Sequence, residues 1–330
     1  MPEKRFTDLL GVLEKNKPVV IQTHDYPDHD AIASGFSLMR LLEEQGFSCS
    51  LCYNKEIHDF SVASIIEDLG IPLKRVSSLR FGGEEQIILV DGVAGNRNVT
   101  ILSEAPIAGI IDHHHPPAHI PECRFLDIRP GLGSCSTIIY QYYLENLAEI
   151  PRDVATALLA GLMMDTGQMT RGVGPVDLAA FSGLFFKGDW EEAAYVLRNS
   201  FSVQDIPSMR YAFDHYRRHG AVCFVEVPPV RPELLGLMCD YFLRMLEIHC
   251  VITFNAGNDE ECRLSLRSED PRLPADQIVR RVVEELGGGG GGHHHMSGGG
   301  FPAERNPGGE ELWKKFLAVI EEFYAAAANT

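Results

Sequence analysis

A chain of 330 residues with 45% apolar side chains is long enough to fill two well-packed domains. No stretch reaches the roughly 20 apolar residues that span a bilayer, and segment 1–17 is charged and lacks a signal peptide's apolar region, so a soluble cytoplasmic protein without a membrane partner is expected. A formal charge of -17 argues against a long basic groove that tracks nucleic acid, so an anionic substrate should be short.

The first half alternates short apolar runs with helical patterns. A strand is expected at 18–23, a helix at 31–45 ended by Gly46, and further strands at 48–53, 86–90, 108–111 and 123–128. This rhythm predicts an α/β fold with a doubly wound, mostly parallel sheet, and the unbroken run Ile87, Ile88, Leu89, Val90 fits a strand buried on both faces. Helices at 134–147, 152–164 and 176–186 complete a first domain over 1–190. Segment 191–216 reads as a helical connector. Residues 217–330 read as a second, smaller α/β domain across a cleft: a strand at 221–227, a helix at 232–246, strands at 250–254 and 262–266, and a helix at 274–286. A glycine and histidine loop then leads to a last helix at 310–327. The eight cysteines lack the spacing of a secreted disulfide framework. Cys49 and Cys52, at an odd offset on one strand, should face opposite ways and not form a zinc pair.

Acidic and histidine side chains recur directly after the buried runs. The first strand leads into His24, Asp28 and Asp30, the strand at 86–90 into Asp91, and the strand at 108–111 into Asp112, His113 and His114. Ligands of open α/β sheets bind at the carboxyl ends of strands, so these clusters can converge. Asp165 shares a helical face with Val154, Leu158 and Gly161, which puts a carboxylate on a buried stripe. Unpaired buried carboxylates cost several kcal/mol, and no basic residue stands beside these positions. A dication reverses the sign of the problem. Mixed aspartate and imidazole donors suit Mn²⁺ best, with Mg²⁺, Co²⁺ or Fe²⁺ as alternatives, and this many ligands suit two ions better than one. Any one of these residues alone would more often be a turn or cap residue; it is their joint occurrence that carries the reading.

These residues resemble the DHH phosphoesterases over nearly the whole chain. The motifs are HDYPDHDAIAS (24–34), VDG (90–92), IDHHHPP (111–117), GSCST (133–137) and AGLMMDTG (160–167), while RLSLRS (263–268) and GGHHHMSGG (291–299) resemble the motifs of the DHH-associated C-terminal domain. The size and two-domain plan are similar to bacterial nanoRNase and pAp phosphatase enzymes, with cyclic-di-AMP phosphodiesterases as relatives. The resemblance implies one Mn²⁺ on His24, Asp28 and Asp91 and a second on Asp30, Asp91, His113 and Asp165, with Asp91 bridging. It further implies Asp112 as the group that orients a histidine and His114 as the contact to the scissile phosphate. Ser34 is not expected to be a covalent nucleophile. For the second domain the resemblance implies substrate contacts from Arg267, Ser268, Gly291, Gly292 and His293, with Arg263 as a weaker candidate and Arg97 of the first domain as a phosphate or dimer contact. Taken without the resemblance, Arg267 and Arg263 could equally be surface ion pairs, and the GGGGGGHHH run could be a tag scar.

The sequence departs from the family at a few places. His29 stands where relatives carry glycine, so a bulkier group should overhang the first metal loop. GVAGNR after Asp91 lacks a second acidic residue, His115 extends the histidine run and should be peripheral, and Met296 and Ser297 replace small residues. The function this implies is hydrolysis of short oligoribonucleotides (nanoRNA, pApA) from the 5′ end, with pAp as a further substrate, by a homodimer. Cyclic dinucleotide hydrolysis, a non-catalytic nucleotide sensor and an inorganic pyrophosphatase are the alternatives.

Overall fold

The computed structural model describes residues 5–57, 59–96, 98–102, 105–117, 119–256 and 261–328. The chain divides into two compact units, Met1–Ser200 and Phe201–Thr330. No helix among the described residues is long and apolar enough to cross a membrane.

The first unit contains α1 (Phe6–Val12), β1 (Val19–Gln22), α2 (His29–Glu44), β2 (Cys49–Tyr53), α3 (Phe60–Asp68), β3 (Leu73–Arg75), β4 (Gln86–Val90), β5 (Ile107–Asp112) and β6 (Phe125–Ile128). It ends with α4 (Cys135–Glu145), α5 (Arg152–Asp165), α6 (Pro175–Phe185) and α7 (Trp190–Arg198). Its six strands are all parallel in the order β3-β2-β1-β4-β5-β6, so the expected α/β architecture is present. The order reverses between β1 and β4, and such a switch point leaves a crevice at the carboxyl ends of those strands. All five side chains of β4 are buried, because the strand is central and covered on both faces. On one face Phe6, Phe36, Tyr142, Leu158 and Leu159 build the main core from α1, α2, α4 and α5. On the other, Val93, Ala94, Val99 and Ala105 from the segments after β4 close over Val20, Ile87, Leu89 and Ile110. Cys49 packs against the first core and Cys52 sits in the second, as their odd offset requires.

The second unit contains α8 (Ile206–His215), β7 (Arg217–His219), β8 (Val222–Val227), α9 (Pro232–Phe242), β9 (Cys250–Asn255), β10 (Glu261–Ser268), α10 (Ala275–Glu285), β11 (Gly289–Gly292), β12 (Met296–Pro302) and α11 (Gly309–Ala328). Its mixed sheet runs β11-β12-β10-β9-β8-β7, and among the described residues only β8 and β9 pair in parallel. Alternate residues of β8, β9 and β10, such as Phe224, Ile252 and Leu266, pack beneath Ile278, Val282 and Phe316 of α10 and α11. Cys223, Val225 and Val251 face Leu235, Met238 and Phe242 of α9.

The glycine and histidine tract, expected as a loop, is instead a two-stranded hairpin of β11 and β12. Glycine has poor strand propensity, so the tract reads locally as irregular. Tertiary contact overrides it, because α10 lies directly on the backbone. A Cβ placed on Gly290 would fall 2.6 Å from Val279 Cγ1, and one on Gly299 would fall 2.8 Å from the same methyl. Close backbone approach is the ordinary reason for glycine inside a strand.

Candidate metal centre

The carboxyl end of β1 delivers the first ligands. His24 follows the strand, and Asp28 is the N-cap of α2, where its Oδ1 accepts from the Ala31 amide at 3.0 Å. An N-cap carboxylate satisfies an orphan amide with one oxygen and keeps the other for a different partner. Here Oδ2 faces His24 Nε2 at 3.8 Å. Asp30, in the first turn of the same helix, is fully buried and accepts from the Cys135 amide at 2.6 Å and the Ser136 amide at 2.9 Å. Those amides open α4, so the positive end of that helix holds the carboxylate.

Asp91 directly follows β4 in a left-handed conformation with φ of 56°. For a non-glycine residue this is strained backbone, and such strain clusters at functional sites. The turn directs the carboxylate between two histidines: Oδ2 lies 3.7 Å from His24 Nε2, and Oδ1 lies 3.4 Å from His113 Nε2 and 3.5 Å from His114 Nδ1. Asp112 at the end of β5 accepts the His113 and His114 amides and His114 Nδ1, the last at 2.7 Å. His113 Nδ1 lies 3.2 Å from the Leu132 carbonyl, which can only accept, so the proton sits on Nδ1 and the unprotonated Nε2 is the ligand atom turned to the carboxylates. Nε2 lies 3.0 Å from Asp165 Oδ2 and 3.7 Å from Asp30 Oδ2.

Within each of three sets the ligand atoms thus lie no more than 4.8 Å apart: His24, Asp28 and Asp91; Asp30, His113 and Asp165; and Asp91, Asp112 and His114. The residues fit divalent cations, and Asp91 supplies the test. It is 1% exposed, yet neither carboxylate oxygen accepts a hydrogen bond from any described residue. Orphaned buried oxygens of this kind need an ion or ordered water, since leaving them unsatisfied costs several kcal/mol.

Charge in the cluster is redistributed accordingly. Burial opposes a charged His24, but Asp28 and then Asp91 outweigh it and push the imidazole up to about 9. Burial raises Asp30, helped by the charges of Asp91 and Asp165, and burial likewise raises Asp165. Burial opposes charge on Asp28 as well, yet His24 and the Ala31 amide hold its carboxyl below the usual range. A cation binding at His24 must displace the proton that this imidazole carries below about pH 9. Mn²⁺ uptake at pH 7 is therefore expected to release protons, and apparent affinity to fall as pH is lowered. Titration calorimetry in buffers of different ionisation enthalpy measures this, and buffer-independent heats would contradict it.

Sequence reasoning missed Gly161 as a site residue, although it lay on the stripe with Asp165. A Cβ there would fall 2.5 Å from Ser136 Oγ and 2.9 Å from Asp30 Oδ1, so α5 can approach α2 closely only without a side chain. Gly161→Ala should cost about 1–3 kcal/mol by overpacking and displace Asp30. Thermal unfolding with and without Mn²⁺ checks this, and wild-type behaviour in both would refute it. The amides of Cys135 and Ser136 and the Leu132 carbonyl were also missed, since backbone groups leave no mark in sequence.

His29 does not overhang the metal loop as expected. It is 1% exposed, and burial holds its imidazole below the usual value, opposed first by the charge of Asp59, the N-cap of α3, and then by that of Asp28. His115 is exposed. Ser34 is buried, with its hydroxyl 3.4 Å from both Asp30 Oδ1 and Ser136 Oγ. Arg97 lies outside the described residues.

In the second unit Arg263, Ser265 and Arg267 share a face of β10. Through the register their neighbours on that face are Gly300, Gly298 and Met296 of β12, and beyond them Gly289 and Gly291 of β11. Gly291 and Gly298 are exposed, and a Cβ on Gly291 would meet nothing within 4 Å. The result is exposed glycine backbone, at Gly291 and Gly298, beside two arginines. Neither arginine is a lone fork: Arg267 lies 3.3 Å from Asp240 and donates to Ser265 Oγ at 2.9 Å, and Arg263 lies 3.1 Å from Glu261. Ser268 is buried and donates to the Asp270 carbonyl at 3.3 Å. Gly292 has φ of 146° at the start of the hairpin turn, and the His293 amide donates to Met296 O at 2.6 Å across it.

Comparison with known proteins agrees with this geometry. The model of the DHH family, N-terminal domain, matches residues 18–162, and that of the DHHA1 domain matches residues 220–326. An uncharacterised protein of Methanocaldococcus jannaschii is 28% identical over 270 residues, covering 81% of this chain and 55% of the relative. A Streptococcus pyogenes protein named as a probable manganese-dependent inorganic pyrophosphatase is 29% identical over 150 residues, covering 45% of this chain and 48% of the relative. The chain thus spans about half the length of these curated relatives. Among solved structures, an exopolyphosphatase-related protein from Bacteroides fragilis shares the fold with a TM-score of 0.76 at 19% identity, covering 93% of this chain and 92% of that one. With both domain models matched in order and the ligand clusters on the expected strand ends, the chain belongs to the DHH family of phosphoesterases and carries a DHHA1 domain over residues 220–326.

Proposed function

We propose that this chain is a Mn²⁺-dependent phosphoesterase that hydrolyses short oligoribonucleotides such as pApA from the 5′ end, and pAp to AMP. The observation that carries the reading is the pair of adjoining ligand clusters on either side of Asp91. One ion would be held by His24, Asp28 and Asp91, and a second by Asp30, Asp91, His113 and Asp165. Manganese suits these mixed donors and is the metal in the name of the pyrophosphatase relative. Bound there, divalent cations supply a nucleophilic water of lowered pKa and offset charge on the phosphoryl oxygens. Asp112 accepts the Nδ1 proton of His114 at 2.7 Å, which fixes the ring so that its other nitrogen can serve the leaving group. The exposed glycine backbone and Arg267 of the DHHA1 domain suit a planar base and a phosphate, and favour a nucleotide over pyrophosphate.

A panel of pApA, pAp, cyclic and linear dinucleotides and pyrophosphate, assayed with Mn²⁺, tests the reading. Turnover of pApA and pAp is expected. Cleavage of cyclic dinucleotides alone would move the assignment to a cyclic dinucleotide phosphodiesterase. Cleavage of pyrophosphate alone would overturn nucleotide specificity, and binding without turnover of any substrate would make the protein a sensor.

A further inference from the structure

Two buried aspartates lie near the ligand clusters without joining them. Asp177 of α6 is fully buried. Its Oδ1 accepts from the Gly133 amide at 3.0 Å and the Thr137 hydroxyl at 2.7 Å, and its Oδ2 from the Gly174 amide at 2.9 Å. Gly133 and Thr137 bracket the turn that opens α4. That turn presents the Leu132 carbonyl to His113 Nδ1 and the Cys135 and Ser136 amides to Asp30. One carboxylate therefore fixes a segment that orients two of the three ligands in the set Asp30, His113 and Asp165.

Asp25 does the equivalent for the other set. It is 3% exposed, and its carboxylate accepts from the Thr100 amide at 3.0 Å, the Thr100 hydroxyl at 2.7 Å and Asn54 Nδ2 at 3.1 Å. Its own amide donates to Asn98 O at 2.7 Å, and its carbonyl accepts from the Lys55 amide at 2.8 Å. These bonds tie the loop carrying His24 and Asp28 to the segments that follow β2 and β4. No residue of this knot recurs in the Asp177 bracket.

We propose that Asp177 and Asp25 are positioning residues, each setting the affinity of one cation position independently of the other. The inference rests on the two-ion reading of the same site and adds that its halves can be weakened separately. Groups hydrogen-bonded directly to metal ligands typically contribute about 10–100-fold in affinity, and Asp177 and Asp25, which fix the segments carrying or contacting the ligands, are expected at the lower end of that range. Asp177→Asn keeps the volume but cannot accept from all three donors with an amide, and Asp25→Asn fails in the same way.

The test is a Mn²⁺ binding isotherm read by electron paramagnetic resonance of the free ion, on the full chain. Wild type is expected to take up two ions. Each asparagine variant is expected to keep one ion at wild-type affinity and bind the other about tenfold or more weakly. The double variant should weaken both. Thermal unfolding without metal checks that the variants fold. Should Asp177→Asn not fold, Thr137→Val removes a single donor to the same carboxylate and should weaken the same ion. Two wild-type affinities in all folded variants would overturn the positioning role, as would loss of both ions to the same degree in each single variant. Fewer than two ions in wild type would instead overturn the two-ion reading, and the inference with it.

Discussion

Asp91→Asn is expected to lower kcat/KM for a phosphoester substrate by on the order of a thousandfold or more, because this one side chain stands between both ligand sets. The amide keeps the shape and the tolerance of the left-handed backbone, so the fold should survive. What it removes is a charge whose two oxygens accept no hydrogen bond from the described residues and so have no evident structural duty. A second readout follows by mass action: Mn²⁺ should raise the thermal midpoint of the wild type and scarcely move that of the variant. An Asp91→Asn protein with wild-type turnover and metal-induced stabilisation would remove the centre from the proposed chemistry.

Opposite outcomes are expected from two neighbouring glycines in one tract. Gly290→Val would drive its side chain into Val279 Cγ1 and the Gly298 carbonyl, 2.6 and 3.0 Å from a Cβ, and should destabilise the DHHA1 domain by about 3 kcal/mol. Gly291→Val points to open space and should change stability by no more than about 0.5 kcal/mol. If this exposed backbone receives the nucleotide, that same side chain should raise KM about tenfold or more while kcat changes little. Chemical denaturation and steady-state kinetics separate the two effects. Unchanged KM in a stable Gly291→Val protein would leave this backbone without a role in capture.

Much of the first unit was readable because its chemistry is written locally. Asp28, Asp91 and His113 each follow a run of buried apolar residues, and a polar group at the end of a central strand marks the crevice of a parallel sheet. Asp165 was readable from helical period alone. What could not be read depends on partners distant in sequence. Asp177 meets Gly133 across 44 positions, and Asp25 meets Thr100 across 75. An ion pair was one reading of Arg267, but nothing nearby in sequence announces that its partner is Asp240 on α9. His29 was misplaced because helical phase does not reveal what lies behind a helix start. The glycine hairpin was hidden for a different reason: its strand character comes from the helix laid upon it, while its own residues disfavour extended pairing.

The manner in which Asp28 and Asp30 are anchored bears on how the protein should respond to chelators. Both carboxylates are already held by peptide N–H groups, one at the start of its own helix and one at the start of a neighbour. Their scaffold is thus wound from backbone bonds that do not depend on an ion. Stripping the metal should silence the protein and leave its circular dichroism intact, and restoring Mn²⁺ should revive it on the timescale of mixing, with no refolding delay.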